Sequence, residues 1–265
     1  RRLAIKVLNA SKFALSMGLP FDADEAALAA APPPSLEAGA VTEPIDRAVL
    51  AALADVVETA TTALEGFEHA RALEVAESLF WTFCDDYIEL VKDRANDFDG
   101  THDAAAVRSA RTTLAIAVDT FVRLLAPFLP FVTEEVWSWY RTGSVHRAAW
   151  PEAAVLREAA GDADAGLVER AGTVLAALRK VKSEARTSQK TPILSVALAV
   201  APEVAPAIEA VRADLLEAAK VTGPFTVEVA EAAAEQVDDA AGPESSPVSV
   251  TAVELGQAPP RRKRS

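Results

Sequence analysis

Residues 70–96 read ARALEVAESLFWTFCDDYIELVKDRAN. Leu73, Ala76, Leu79, Phe80, Phe83, Tyr87, Leu90 and Val91 keep the three-and-four spacing of an amphipathic helix, so the stretch predicts one long helix. Asp97–Gly100 breaks it. Before it, Thr42-Glu43-Pro44 opens a helix over about 45–67, with Pro in the first turn, where its missing N–H costs little. Leu50, Leu53, Val57 and Leu64 give that helix its apolar side, and 66–69 is a short turn. After it, a helix over about 102–125 carries Val107, Leu114, Val118, Phe121, Val122 and Leu125 and is ended by Pro127 and Pro130. Thr133-Glu134-Glu135 reads as a cap with first-turn acids, starting a short helix that holds Val136, Trp137 and Tyr140. Residues 143–151 read as an irregular exit ending in Trp150-Pro151. Helices joined by short connections predict an antiparallel bundle, so the fold class is mainly α.

The chain opens with RRLAIKVLNASKFALSM, residues 1–17, which has four cations and no acid in a protein of formal net charge −13. Wound as a helix, Leu3, Val7, Ala10 and Ala14 form the core-facing stripe. A second line carries Arg2, Lys6, Asn9 and Phe13. Cations for phosphates, a ring for stacking and an amide for a base edge are what single-stranded nucleic acid requires. The plainer reading is a solvated face whose Phe13 dips into a neighbouring core. Gly18-Leu19-Pro20 stops this helix, and 21–43, with Pro32-Pro33-Pro34, reads as a loose surface connection.

The pattern changes after about residue 161. A helix over 167–186 comes first, then a β-rich alternating run at 193–200, an amphipathic helix over 205–219, and strands at 225–229 and 248–255. This is a small α+β unit, with an acidic loop at 231–247. The domain organisation is a helical bundle over 1–158, the α+β unit over 164–255 and a disordered basic tail over 256–265.

Charge is unevenly placed. The first helix and the terminal Arg261-Arg262-Lys263-Arg264 carry +4 each, so the chain between them is more acidic than the whole. A third basic concentration runs from Arg179 to Lys190. A basic strip on an acidic body still binds RNA, because the body repels unproductive contacts. No apolar run is long enough to span a membrane, and no leader of the secretory kind is present, so a cytoplasmic protein is expected. One cysteine, Cys84, and three scattered histidines argue against a disulfide framework or a metal site. There is no glycine-rich phosphate loop and no nucleophile motif. Cys84, among Trp81, Phe83 and Tyr87, reads as a buried structural thiol, and Asp85 and Glu89 read as partners for neighbouring cations rather than an acid/base pair. The four tryptophans read as core or seam residues, and His146-Arg147 as an ordinary surface loop.

Several segments together resemble the valyl-tRNA synthetases in their C-terminal, anticodon-binding part. They are LAIKVLNASKFAL (3–15), RALEVAESLFWTFCDDYIELVKDR (71–94), RLLAPFLPFVTEEVW (123–137) and SVHRAAWP (144–151). VLAALRKVKSEARTS (174–188) resembles the helix that follows the bundle in bacterial, actinobacterial-like members, and 189–265 matches more loosely. The central blocks are specific to the isoleucine/leucine/valine branch of class I synthetases. Lys6, Asn9 and Phe13 with the 144–151 segment point to valine.

The resemblance implies a bundle that binds the anticodon stem and loop of valine tRNA, within a ligase whose catalytic and editing domains lie outside this chain. It implies no catalytic residue, metal or cofactor here; ATP and Mg belong to the catalytic domain. The expected partners are tRNA and that catalytic domain, with no membrane and no second copy of the chain. On this reading the chain is a fragment, beginning mid-helix at Arg1. The expected tRNA contacts are Arg2, Lys6, Asn9 and Phe13, then Arg1 and Lys12 on phosphates, with Arg179, Lys180, Lys182 and Arg186 as weaker backbone contacts. One departure is Asp46-Arg47-Ala48-Val49, which lacks an aromatic after Asp-Arg. Another is the absence of a heptad run, so no coiled-coil contact to the tRNA elbow is expected. Two rivals stand beside this reading: a synthetase-derived protein-interaction module without an RNA role, and the same bundle from an isoleucine or leucine enzyme.

Overall fold

A computed structural model of the chain describes residues 1–17, 39–230 and 246–258. The core of the loose connection at 21–43, most of the acidic loop at 231–247 and the tail from residue 259 therefore lie outside the described residues. Contacts divide the chain into two compact units, Arg1–Val168 and Glu169–Ser265.

The first unit is a helical bundle: α1 (Arg2–Leu15), α2 (Pro44–Glu65), α3 (His69–Thr82), a π-helical turn (Phe83–Tyr87), α4 (Ile88–Asn96), α5 (Ala104–Leu125), α6 (Pro130–Ser138) and α7 (Ala153–Ala160). A 3-10 turn, Val145–Arg147, lies between the last two. The long helix expected over 70–96 is thus α3 and α4 joined through one π turn, the form in which an extra residue sits inside a helix. Its buried line is Ala72, Ala76, Phe80, Phe83, Cys84 and Tyr87, while Leu73 and Leu79 flank that line half-buried. Small residues at the centre let α3 lie close to α2, which itself buries Ala48, Ala51, Ala54, Ala60 and Ala63. Behind that seam the rings of Phe80, Phe83 and Phe121 meet at centroid distances of 5.2 and 5.3 Å, and Phe83 stacks on Tyr87 at 5.6 Å.

Two buried carboxylates tie the helices across this core. Asp46, in the first turn of α2, accepts from Tyr87 Oη (2.8 Å), from Arg94 Nη1 and Nη2 (2.9 and 3.1 Å) and from Ser109 Oγ (2.6 Å). Ser109 Oγ in turn accepts the backbone N–H groups of Thr42 and Glu43, at the entry to α2. Asp119 on α5 pairs with Arg123 and Arg141 and accepts from Tyr140 Oη, closing the end of α6 onto α5. Burial and the Asp119 charge push the Tyr140 phenol well above its ordinary value, so it stays a donor.

Ends follow local chemistry, with two differences from the sequence expectation. Asp103 caps α5 by accepting from Ala106 N, and Asp97 closes α4 in the left-handed conformation. The short helix starts at Pro130, three residues before Thr133. The Thr133 hydroxyl is buried and donates back to Leu129 O (2.9 Å), so it acts within the helix and not as its cap. Glu134 is pulled aside to accept from Ser144 Oγ and Val145 N, which fixes the loop the sequence left irregular. Helix α7 was not expected. It buries only Leu156 and Ala160, packs on α2, and has its last carbonyl covered by Arg47 Nε at 3.0 Å.

The second unit contains α8 (Leu167–Glu184, whose first two residues belong to the bundle unit), β1 (Ile193–Val200), α9 (Ala205–Ala210), α10 (Arg212–Ala219), β2 (Phe225–Val229) and β3 (Val248–Leu255). The sheet order is β2-β1-β3, with β1 parallel to β2 and antiparallel to β3. A parallel pair needs a crossover, and α9–α10 supplies it. Central β1 buries Ile193, Val196, Leu198 and Val200. The single helix expected over 205–219 is broken at Val211, whose backbone leaves the helical region (φ −122°, ψ 18°). The break sets Arg212 to donate to Phe225 O at 3.1 Å and to lie over the Phe225 ring, clamping the crossover to β2.

Candidate nucleic-acid interface

Helix α1 forms because its apolar line falls on one side. Val7, Ala10, Ser11, Ala14 and Leu15 are buried against α5 and α6, and Leu3 is half-buried. The opposite side keeps the cations. Arg1, Arg2, Asn9 and Lys12 are exposed, and Lys6 and Phe13 are half-buried. The expected line of Arg2, Lys6, Asn9 and Phe13 is therefore present on one helix, and its Lys6 and Phe13 sit lower than the rest.

For Lys6 the depth has a cause. The Arg2 guanidinium lies 5.0 Å from the centroid of the Trp81 ring, and Lys6 Nζ lies 5.7 Å from the same ring. Lys6 Nζ also pairs with Asp85 Oδ1 at 2.6 Å. Arg2 and Lys6 are four apart on α1, and Trp81 and Asp85 are four apart on the rod formed by α3 and the π turn. Two ladders of matching spacing meet as a seam. Trp81 is held in turn by its Nε1–H donating to Glu77 Oε1 at 3.1 Å. Each such contact at a partly exposed site contributes about 0.5–1 kcal/mol. The seam therefore orients the cations more than it stabilises the fold. Among the described residues, Arg1 and Lys12 have no acidic partner within ion-pair distance. The result is a row of positive charge whose middle, Arg2 and Lys6, is anchored and whose flanking cations, Arg1 and Lys12, are open, with half-buried Phe13 on the same helix.

Sequence reasoning placed Trp81 in the core or a seam and Asp85 as an ion-pair partner, but did not join them to α1. The matching four-residue spacings were the available signal. Cys84 sits beneath this seam, and burial pushes its thiol up to about 12, against the opposing pull of Lys6, so it stays a protonated, unreactive group. Among the described residues no three His, Cys, Asp or Glu side chains gather to hold a metal ion, and no helix is long and apolar enough to cross a membrane.

The weaker candidates belong to the second unit and divide sharply. Lys180 is exposed and faces Glu184 at 3.8 Å, Arg179 is half-buried, and Arg186 is exposed in the left-handed conformation (φ 52°). Lys182 is a correction. It is 1% exposed, and its Nζ donates to the carbonyls of Gln189 (3.0 Å) and Ala219 (2.6 Å). An amine so enclosed is out of reach of a phosphate; it serves the fold.

The sequence model of the family described as the anticodon-binding domain of tRNA ligase matches residues 46–198. That span runs from the third residue of α2 through α8 and most of β1, and it begins after α1. The chain is 50% identical, over its whole length, to a stretch of the valine–tRNA ligase of Bifidobacterium longum subsp. infantis. It is 48% identical over 75% of its length to the valine–tRNA ligase of Salinispora tropica, and 50% identical over 73% to that of Thermobifida fusca. It spans 29% of the first of these relatives, 23% of the second and 20% of the third. With the match covering more than half of its residues, the chain belongs to the family of anticodon-binding domains of tRNA ligases.

Proposed function

We propose that this chain recognises the anticodon arm of valine tRNA as the RNA-reading part of a cytoplasmic valine–tRNA ligase, acting as a monomer. The observation that carries the reading is the ordered cation row of α1 on a protein of net charge −13. In this reading Arg2, Lys6, Arg1 and Lys12 meet stem and loop phosphates, Phe13 stacks an unpaired base, and Asn9 reads a base edge. The relatives' names supply the amino acid. Activation of valine with ATP and Mg belongs to the remaining length of such a ligase. The bundle's part is to hold the tRNA so that its acceptor end reaches that chemistry.

The test is equilibrium binding of the full chain to a valine anticodon stem-loop across a salt series. Affinity falls steeply as salt rises, as phosphate contacts require. Phe13→Ala weakens binding by about 1–3 kcal/mol, the worth of one stacked base. An isoleucine stem-loop binds more weakly than the valine one. Absence of binding at low salt defeats the RNA reading and leaves the protein-interaction module.

A further inference from the structure

The second unit contains an open pocket of about 540 Å³ between the loop entering β1 and the end of α10. Its lining includes two cationic residues, Lys190 and Lys220, one carboxylate residue, Glu217, and the apolar Leu216 and Val221. The arrangement is built. The buried Lys182 amine takes the carbonyl of Gln189, immediately before Lys190, and the carbonyl of Ala219, immediately before Lys220. One side chain thus fixes the two backbone segments that bear the pocket's cations. Lys220 is held further by its left-handed conformation at the end of α10 (φ 56°). From 179 to 190 the chain carries five cations and one acid, Glu184, on an otherwise acidic protein. The occupant that matches is anionic with a flat apolar flank, and of a size a pocket in the ordinary ligand range accepts.

We propose that this pocket is a second RNA contact, in which Lys190 and Lys220 hold backbone phosphates of tRNA and the Leu216–Val221 wall takes the adjoining nucleoside. The proposal rests on the tRNA reading above. It assigns recognition to residues outside both the α1 row and the Arg179–Arg186 set. Lys182 is a positioning residue, acting through the two carbonyls it holds.

The experiment uses the full chain and an unmodified valine tRNA transcript. Binding is measured from 50 to 200 mM salt for wild type, for Lys190→Ala/Lys220→Ala and for Lys190→Arg/Lys220→Arg. The alanine pair lowers the slope of log affinity against log salt by about 1.5 and weakens binding at least about fivefold at 0.1 M salt. The arginine pair keeps both, since charge is retained. In parallel, acylation of lysine amines read by mass spectrometry shows Lys190 and Lys220 protected by tRNA, a readout independent of any effect on folding. An unchanged slope with unprotected amines, while wild type binds tRNA, overturns the pocket and leaves the α1 reading standing. If wild type binds no tRNA at all, the proposed function fails and takes the pocket with it.

Discussion

Asp46 has no exposed surface, and its two oxygens serve donors from the π turn, from α4 and from α5. Removing it leaves Arg94, 5% exposed, as a buried charge without its counter-ion. Asp46→Ala is expected to cost about 3–5 kcal/mol in urea unfolding of the bundle, the range for breaking a buried pair from one side. Lys182 gives a prediction of the opposite kind. Burial, with Lys220 and Arg179 nearby, pulls its ammonium from 10.5 down to about 8. The unfolded chain restores the ordinary value, so between about pH 8 and 10.5 the unfolded state binds more protons than the folded one. Stability from this group therefore rises with pH across that window, and below it the full cost of the buried charge remains. A neutral amine still has two N–H groups for its two carbonyls. Urea unfolding of wild type against Lys182→Met at pH 7.5 and pH 10 should show wild type gaining on the variant. A difference that stays flat would remove the effect. Lys182 also marks where the sequence misled. Counting charge put it among phosphate ligands, but Leu175, Leu178 and Lys182 fall on one helical line, and position on that line decides burial.

At the scale of elements, the strands were legible because their patterns are short and uninterrupted. Ile193–Val200, Phe225–Val229 and Val248–Leu255 stand where alternation and β-branched content put them. Helix α7 was not legible, since two buried residues in eight make a weak periodic signal. The π turn was hidden for another reason: an extra residue in one turn leaves a pattern that still reads as α on either side. The seam of α1 on Trp81 and Asp85 was half legible. Its spacings are in the sequence, but the pairing of two distant ladders depends on the bundle between them. One glycine sets the spacing of the small sheet. A Cβ on Gly223, just before β2, would overlap the carbonyl of Leu194 at the start of β1. Gly223→Ala should therefore push β2 away from β1 and cost about 1–3 kcal/mol, as overpacking does. Hydrogen exchange is the measurement, with protection expected to fall at 193–200 and 225–229. Retained protection there would show that the backbone absorbs the methyl group.

Across the whole molecule, composition alone pointed away from nucleic acid; the placement of charge reopened the possibility, and the resemblance of several segments to a known family carried the reading. The two compact units also divide the consequences of mutation. Asp46→Ala acts on Arg1–Val168 and Gly223→Ala on Glu169–Ser265, and exchange maps of the two variants should differ accordingly. The π turn has a meaning at this scale too. A helix with one residue too many is a ruler with two scales. Up to Asp85 the rod is graduated for α1, where Glu77, Trp81 and Asp85 fall at four-residue marks along the cation row. From Tyr87 onward it is graduated for Asp46, which Tyr87 and Arg94 both reach. The surplus residue is the join between the scales. It lets the face that meets α1 and the face that anchors the bundle each keep its own phase on a single continuous helix.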